Sequence, residues 1–211
     1  DIRATFGDTT AQIIDGLTKL SKLGFNTEEE HQAENVRRML IATNKDIRVL
    51  IIKLADRLNN MRTLSAMYPQ KQRNIARETL EVYAPLAHRM GIRPVKEELE
   101  DLALRYLDPI GYKQICDNLS AQQANREAFL EEIKEELRQN LIEYIPNVEL
   151  SGRVKSVHGI YNKMIMQGKS FEDIYDVYAV RVIVDTVAEC YAALGVGQTI
   201  YTPLPHRSTN Y

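Results

Sequence analysis

The chain has 211 residues, enough for one large domain or for two smaller domains that each bury a core. Hydrophobic residues make up 44% of it and charged residues 27%, a balance that is typical of a globular protein and does not indicate disorder. The formal charge of -2 argues against a surface built for non-specific duplex binding, because such a surface needs an excess of basic residues.

Cysteine usage and apolar runs favour a cytoplasmic protein. Cys116 and Cys190 are far apart and fit no metal-ligand spacing, so we expect reduced thiols and neither a disulfide framework nor a zinc module. The longest apolar stretches, 49–52 and 177–184, are too short to span a bilayer. No signal peptide is visible at Asp1, and we expect further residues upstream of it.

Helical periodicity dominates the first half of the chain. Amphipathic spacing predicts helices over 9–22, 31–43 and 46–64. A further helix is predicted over 70–90, and Pro85 should kink or divide it because proline lacks a backbone donor. The apolar stripe of the helix over 46–64 consists of Ile47, Leu50, Ile51, Leu54, Leu58 and Met61.

The pattern changes near Pro146. Pro94 opens a helix that should pack through Val95, Leu99, Leu102 and Tyr106. After Asp108 and Pro109 a short helix follows, and the charged segment 122–144 should be helical, with a seam of Phe129, Ile133, Leu137 and Leu141. Beyond Pro146 we predict two strands around one helix, over 148–154, 156–167 and 177–184.

These elements predict an α+β protein in three parts. Residues 1–110 form an all-α domain, residues 111–147 form a helical connector, and an α/β domain begins at residue 148. We expect the first and the last of these parts to be incomplete in this sequence.

The helix over 46–64 places three polar groups on one face. Asp56, Asn60 and Thr63 return to nearly the same azimuth, opposite the apolar stripe. Such a face can present a carboxylate, an amide and a hydroxyl to a ligand from a rigid element. The alternative is that Asp56 pairs with a nearby lysine or arginine on a solvated surface.

Two stretches around this helix resemble the hydrolase domain of the Rel/SpoT family. They are KLADRLNNMRTL at residues 53–64 and YAPLAHRMGI at residues 83–92. The resemblance implies an HD-type phosphohydrolase whose histidine and aspartate ligands hold Mn²⁺, and this metal activates water against a pyrophosphate.

The resemblance also assigns roles within the helix. It makes Asp56 a catalytic metal ligand and gives Asn60 and Thr63 contacts with the guanosine nucleotide, with Arg57 and Arg62 supporting the pocket. The family's other metal ligands and its catalytic Glu-Asp pair are expected upstream of this sequence. His31 and His88 are not assigned as ligands, because an isolated histidine on a helix is more often packed or hydrogen-bonded.

A second constellation combines cations with one carboxylate. Arg153 and Lys155 precede a predicted helix that carries Lys163, and Asp176 precedes the last predicted strand. The cations suit triphosphate binding, and Asp176 could bind Mg²⁺ at the strand edge. The alternative is a mixed-charge surface around an ordinary strand.

This region resembles the Rel/SpoT synthetase domain, a nucleotidyltransferase-like fold, through GRVK at 152–155, IYNKM at 160–164 and IYDVYAVRVIV at 174–184. The resemblance implies transfer of pyrophosphate from ATP to the 3′-hydroxyl of GDP or GTP. Arg153, Lys155 and Lys163 would bind ATP phosphates, catalytic Asp176 would bind Mg²⁺, and Arg181 would assist.

The match departs from the family pattern at several positions. Ser156 stands where a histidine is expected, and Gly159 where a serine is common. The C-terminal stretch 196–211 is similar to separated pieces of the pattern, so we expect the guanine-nucleotide loop and a second acidic residue to be missing. Tyr211 is similar to a tyrosine that stacks on the guanine base.

The resemblance therefore implies a bifunctional enzyme of the stringent response, a (p)ppGpp synthetase and hydrolase with GDP, GTP, ATP and (p)ppGpp as its nucleotides. The alternative is a guanine-nucleotide-sensing module with one activity or neither. We expect no membrane contact and no direct duplex binding by this region. Contacts with the ribosome or other regulators are expected from C-terminal domains beyond it.

Overall fold

A computed structural model of the chain describes residues 2–21, 46–121, 123–174 and 176–202. The predicted helix over 31–43 lies outside the described residues, as does Tyr211. The chain divides into two compact units, one of Asp1–Gln114 with Ser156–Tyr161 and one of Ile115–Lys155 with Asn162–Tyr211. Among the described residues, no helix is both long and apolar enough to cross a membrane.

The elements confirm the α+β class, with helices throughout and one small antiparallel sheet. In chain order they are α1 (Ile2–Ser21), α2 (Ile47–Arg62), a 3₁₀ turn (Leu64–Ala66), α3 (Pro69–Glu78), a π-turn (Thr79–Tyr83), α4 (Ala84–Arg89), α5 (Arg93–Leu107), α6 (Pro109–Ala121), α7 (Gln123–Leu141), β1 (Glu149–Val154), α8 (Val157–Gln167), β2 (Tyr178–Ile183) and α9 (Val187–Ile200).

Helix α1 begins earlier than predicted and contains a break at Gly7, whose φ of 82° suits a residue without Cβ. Further along, Gly16 lets the backbone of α1 approach α2 closely. A Cβ added at Gly16 would lie 2.9 Å from Cγ2 of Val49. A larger residue at Gly16 would therefore push α1 away from α2.

Helix α2 agrees with its prediction. Asp46 caps it by accepting a 3.0 Å hydrogen bond from the backbone N–H of Arg48. Its apolar stripe is only partly correct, because Ile47 and Ile51 are 62% and 46% exposed. Val49 is buried beneath α1 instead, which shows that a neighbouring helix, and not the periodicity alone, selects the buried face.

The predicted helix over 70–90 changes its hydrogen-bond pattern just before Pro85. It widens into the π-turn Thr79–Tyr83, with helical backbone angles on both sides of the turn. Such a wide turn relieves the clash that a proline ring makes with the carbonyl four residues earlier. Helices α3 and α4 are therefore joined through this π-turn without a break in the helical backbone.

The core of the first unit gathers side chains from α2 to α5 and the π-turn. Leu99 of α5 is fully buried there, and Val95, Leu102 and Tyr106 pack around it, as the periodicity predicts. Met61 at the end of α2 is also fully buried. The same residues that stabilise this unit therefore fix α2 in its orientation.

In the second unit, α7 packs against one face of the sheet and α9 packs against α7. Strands β1 and β2 are antiparallel, with Leu150 opposite Val182 and Arg153 opposite Ala179. Leu137 and Leu141 of α7 are buried in this core, but the predicted seam residue Phe129 is 57% exposed.

The neighbouring residue Leu130 is half-buried and approaches the sheet, since its Cδ1 lies 3.8 Å from the position that a Cβ on Gly152 would occupy. Both residues fit a helical spacing with Ile133 and Leu137, so the periodicity could not choose between them.

Helix α9 was not predicted, although it begins with a local signal. Thr186 accepts from the backbone of Glu189 at 3.2 Å, and the Glu189 carboxylate accepts from the backbone of Thr186 at 2.8 Å. This reciprocal pair is a capping box. The Thr-x-x-Glu spacing was therefore available in the sequence.

Replacing Leu99 should destabilise the first unit strongly. Leu99→Ala removes a fully buried side chain and should lower the free energy of unfolding by about 2–5 kcal/mol. Ile110→Ala is the control, since Ile110 is 81% exposed. Urea denaturation followed by circular dichroism measures both, and equal losses would contradict the assigned core.

Candidate active sites

Helix α2 turns a polar face to solvent. Val49, Asp56, Asn60 and Thr63 are spaced by seven, four and three residues, and so share one azimuth. Val49 is buried at the N-terminal end of this face, whereas the three polar residues are exposed. Helix α1 therefore covers the start of the face and leaves Asp56, Asn60 and Thr63 accessible.

Both oxygens of Asp56 have nitrogen partners. Lys53 Nζ lies 2.9 Å from Oδ2, and Asn60 Nδ2 donates to Oδ1 at 3.2 Å. The Asp56 side chain remains 49% exposed, and a helix-surface ion pair of this kind is weak. The pairing with a nearby lysine is thus present, and it leaves Asp56 open to a stronger ligand.

Thr63 ends α2 and its hydroxyl is used locally. Its Oγ1 donates to the backbone carbonyl of Asn59 at 3.1 Å, and its backbone caps the helix. The structure therefore brings Asp56 and Asn60 into contact and sets Thr63 one turn further on the same face.

Arg57 points away from this face and joins α2 to the π-turn. Its Nη2 donates to Glu78 at 3.0 Å, its Nη1 lies 3.5 Å from the hydroxyl of Thr79, and its guanidinium lies 3.9 Å from the centroid of the Tyr83 ring. The side chain is only 11% exposed. Ion pairing and cation–π stacking at a desolvated site hold the azimuth of α2, and hence the direction of Asp56.

Arg62, the last residue of α2, is engaged in a similar way. Its Nε and Nη2 donate to the two oxygens of Glu98 at 2.6 and 2.8 Å. This bidentate pair lowers the pKa of Glu98 and ties the end of α2 to α5. Sequence reasoning did not find Glu98, since its partner lies 36 residues away.

In the second unit, Asp176 lies between two lysines. Lys163 Nζ donates to Oδ1 at 2.7 Å and to Oδ2 at 2.6 Å, and Lys155 Nζ donates to Oδ2 at 3.0 Å. The backbone N–H of Lys155 also donates to the carbonyl of Val177 at 2.8 Å, which extends the strand pairing. The three predicted residues therefore form one contiguous cluster.

The lysines determine the ionisation of Asp176. Partial burial alone would raise the pKa of this carboxyl, but hydrogen bonds and charge from Lys163 and Lys155 outweigh that effect and lower the pKa to about 2. Asp176 is consequently ionised at any physiological pH. A permanent carboxylate is the form that binds a divalent cation.

Three predicted cations share one face of the sheet. Side chains alternate along each strand, and Arg153 and Lys155 are two residues apart on the segment that begins with β1. Arg181 lies opposite Ser151 in the antiparallel register. Because Ser151 is two residues before Arg153 on β1, Arg181 is on the same face as Arg153. Leu150 and Val182 occupy the other face, in the core. These three predicted phosphate-binding residues are therefore on the side of the sheet that faces away from that core.

The start of α8 shows what Ser156 does in this chain. Its Oγ accepts from the backbone N–H of Gly159 at 3.1 Å. Asp101 of α5 accepts from the backbone N–H groups of Val157 and His158 at 3.2 and 2.7 Å. Together they satisfy the first turn of the helix, a role that sequence reasoning did not assign.

Within the described ranges, no group of three or more His, Cys, Asp or Glu side chains could hold a metal ion. Asp56 and Asp176 are single carboxylates. Each carboxylate can supply one or two oxygen ligands to a divalent cation. A stable metal site would need further oxygens from a substrate or from other residues.

Family models match both ends of the chain. A model described as "HD domain" matches residues 1–93, which contain Asp56, and one described as "Region found in RelA / SpoT proteins" matches residues 152–211, which contain Asp176. The chain belongs to the Rel/SpoT family. The resemblance found in the motifs is thereby confirmed.

Relatives in the Rel/SpoT family align with the chain over its whole length. A Synechocystis protein named "Probable guanosine-3′,5′-bis(diphosphate) 3′-pyrophosphohydrolase" is 51% identical, and the chain covers 28% of it. A Streptomyces coelicolor "GTP pyrophosphokinase" is 46% identical, with 25% covered. The Escherichia coli "Bifunctional (p)ppGpp synthase/hydrolase SpoT" is 44% identical, with 30% covered. The chain thus spans less than a third of the length of these relatives.

Removing Arg57 should loosen α2. Arg57→Leu leaves Glu78 without its partner and removes the stacking on Tyr83, so the free energy of unfolding should fall by about 1–3 kcal/mol. The control is Arg73→Leu, at an exposed position of α3. Urea titration is the measurement, and an unchanged midpoint for Arg57→Leu would contradict the proposed clamp.

The pKa of Asp176 should depend on Lys163. Because the folded-state pKa of about 2 lies below the ordinary value of 3.8, the stabilisation from ionised Asp176 is present above that ordinary value. It is lost as the pH falls toward 2. Lys163→Gln should raise the pKa, which a carboxyl-carbon NMR titration measures. Lys169→Gln is the control and should leave it unchanged.

Proposed function

We propose that this region performs two opposing pyrophosphate reactions on guanosine nucleotides. One transfers pyrophosphate from ATP to the 3′-hydroxyl of GDP or GTP, and the other hydrolyses (p)ppGpp to GDP or GTP and pyrophosphate. The observation that carries the proposal is the presence of one accessible, amine-paired carboxylate in each matched family segment, Asp56 on α2 and Asp176 before β2. Names of relatives that include both activities support it.

For hydrolysis, Asp56 would be one ligand of a Mn²⁺ ion, with the remaining ligands supplied by other parts of the protein. Bound metal would lower the pKa of a water molecule and polarise the phosphoryl group. The water oxygen would attack the phosphorus attached to the 3′-oxygen and lose a proton. The bond between that phosphorus and the 3′-oxygen would break, and the 3′-oxygen would take up a proton. Asn60 and Thr63 would bind the nucleotide from the same helix face.

For synthesis, Asp176 would bind Mg²⁺ while Arg153, Lys155, Lys163 and Arg181 bind the ATP phosphates. Mg²⁺ when bound would neutralise charge on those phosphates. The 3′-oxygen of the guanosine nucleotide attacks the β-phosphorus of ATP, the bond from the α,β-bridging oxygen to that phosphorus breaks, and AMP leaves. The hydroxyl proton passes to a base or to solvent. Arg153, Lys155 and Arg181 share the sheet face opposite the core, and Lys163 of α8 contacts the same carboxylate as Lys155, so a triphosphate could reach all four cations.

The roles of Arg57 and Arg62 follow from their contacts. Both lie next to proposed substrate-binding positions, yet their guanidinium groups are occupied by Glu78 and Glu98. We propose that they fix the ends of the polar face, and do not bind the nucleotide. Cytoplasmic location and the absence of membrane contact remain part of the proposal.

Separate substitutions should separate the two reactions. Asp56→Ala should reduce (p)ppGpp hydrolysis by at least about 10²-fold and leave synthesis intact, and Asp176→Ala should do the reverse. Chromatography of the nucleotides after incubation with ATP and GDP, and with ppGpp and Mn²⁺, measures both. Asp117→Ala removes an exposed carboxylate of α6 and serves as the control.

If neither reaction occurs in the unsubstituted protein but guanosine nucleotides bind, the guanine-nucleotide-sensing alternative replaces this proposal. If a substitution impairs both reactions while the control does not, its effect is on folding, which circular dichroism detects. A substitution that impairs neither reaction refutes the role of that carboxylate.

A further inference from the structure

The oxygens of Asp176 are already occupied by the side chains that should bind phosphate. Lys163 Nζ lies 2.7 and 2.6 Å from the two oxygens, and Lys155 Nζ lies 3.0 Å from Oδ2. The two lysine side chains are 29% and 21% exposed, so these contacts are partly shielded from water. A divalent cation and the two ammonium groups therefore compete for the same carboxylate.

Charge makes this competition unequal. Two ammonium groups and one carboxylate leave the cluster with a net positive charge. On the same sheet face, Arg153 and Arg181 outnumber the one carboxylate that the strands place there, Glu149. A hydrated divalent cation is repelled by such a cluster, because the interaction at a few ångströms is worth about 1 kcal/mol per charge pair even in water. A triphosphate with its bound cation is negative, and the same field attracts it.

We propose that Lys155 and Lys163 keep the metal-binding carboxylate of this site closed, so that a divalent cation enters only together with a nucleoside triphosphate. This inference rests on the proposed synthetase function. The phosphate oxygens offer both lysines alternative acceptors of higher charge. When the ammonium groups move to the phosphates, the oxygens of Asp176 become available to the cation that arrives with them.

The proposal gives the lysines opposite effects on two ligands. Each lysine opposes the cation alone and favours the triphosphate, so its removal should tighten the binding of the first and weaken the binding of the second. Asp176 stays ionised at pH 7.5 in either case, because its ordinary pKa of 3.8 is far below that pH. A change in cation affinity would therefore reflect competition and not protonation.

Mn²⁺ binding, followed through the electron paramagnetic resonance signal of the free ion, tests this directly. All variants carry Asp56→Asn, so that the other candidate ligand does not contribute, and Asp176→Asn in the same background gives the baseline. The nucleotide probe is α,β-methylene-ATP, in which the bond that breaks in pyrophosphate transfer is replaced. Lys163→Gln and Lys155→Gln are compared with Lys169→Gln, a lysine that forms no ion pair with any residue described in the structure.

With both lysines present, Mn²⁺ alone should bind no more tightly than it does to the Asp176→Asn baseline. When α,β-methylene-ATP is added, the protein with Asp176 should bind more Mn²⁺ than that baseline does. Lys163→Gln should bind Mn²⁺ alone about tenfold more tightly and α,β-methylene-ATP about tenfold more weakly. Lys155→Gln should shift both affinities in the same directions, and Lys169→Gln should shift neither. Circular dichroism of each variant checks that the fold is intact.

The proposal is overturned if the protein with both lysines binds Mn²⁺ at Asp176 without nucleotide as tightly as Lys163→Gln does. It is also overturned if removing either lysine weakens both ligands together. Failure of the proposed function gives a different result, namely no pyrophosphate transfer from ATP to GDP. The Mn²⁺ affinities of the lysine variants without nucleotide can still be compared in that case.

Discussion

In both candidate sites of this chain, contacts between one carboxylate and nitrogen donors from nearby side chains hold the carboxylate in position. Asp56 has Lys53 and Asn60, and Asp176 has Lys155 and Lys163. These partners hold each carboxylate in place without burying it. A metal ion that binds either carboxylate has to displace these nitrogen partners from its oxygens.

The two sites differ in local charge, and this difference matches the chemistry proposed for each. Lys53 balances Asp56, and the second partner, Asn60, is neutral, so a metal ion meets little net repulsion there. Two lysines face Asp176, with two arginines on the same sheet face, an arrangement suited to a polyphosphate. A hydrolase that holds its own metal and a transferase that receives a metal with ATP would need these two kinds of site.

Structural contacts away from the carboxylates hold the first site in register. Arg57 packs on Tyr83 and pairs with Glu78, so the π-turn before Pro85 supports the helix that presents Asp56. The turn therefore has a consequence beyond accommodating a proline. Arg57, which lies beside the polar face and not on it, is expected to influence the proposed hydrolysis through the direction of α2.

The sequence by itself determined the features that depend on neighbours along the chain. Helix α2 and the contact of Asp56 with Asn60 follow from 3.6 residues per turn, and the motifs identified the family. Only the tertiary structure decided that Arg57 meets Tyr83, that Ile51 is exposed, and that Lys155 reaches Asp176 across 21 residues. Local periodicity fixes azimuth within one element, whereas such pairings depend on which other element packs beside it and in what register.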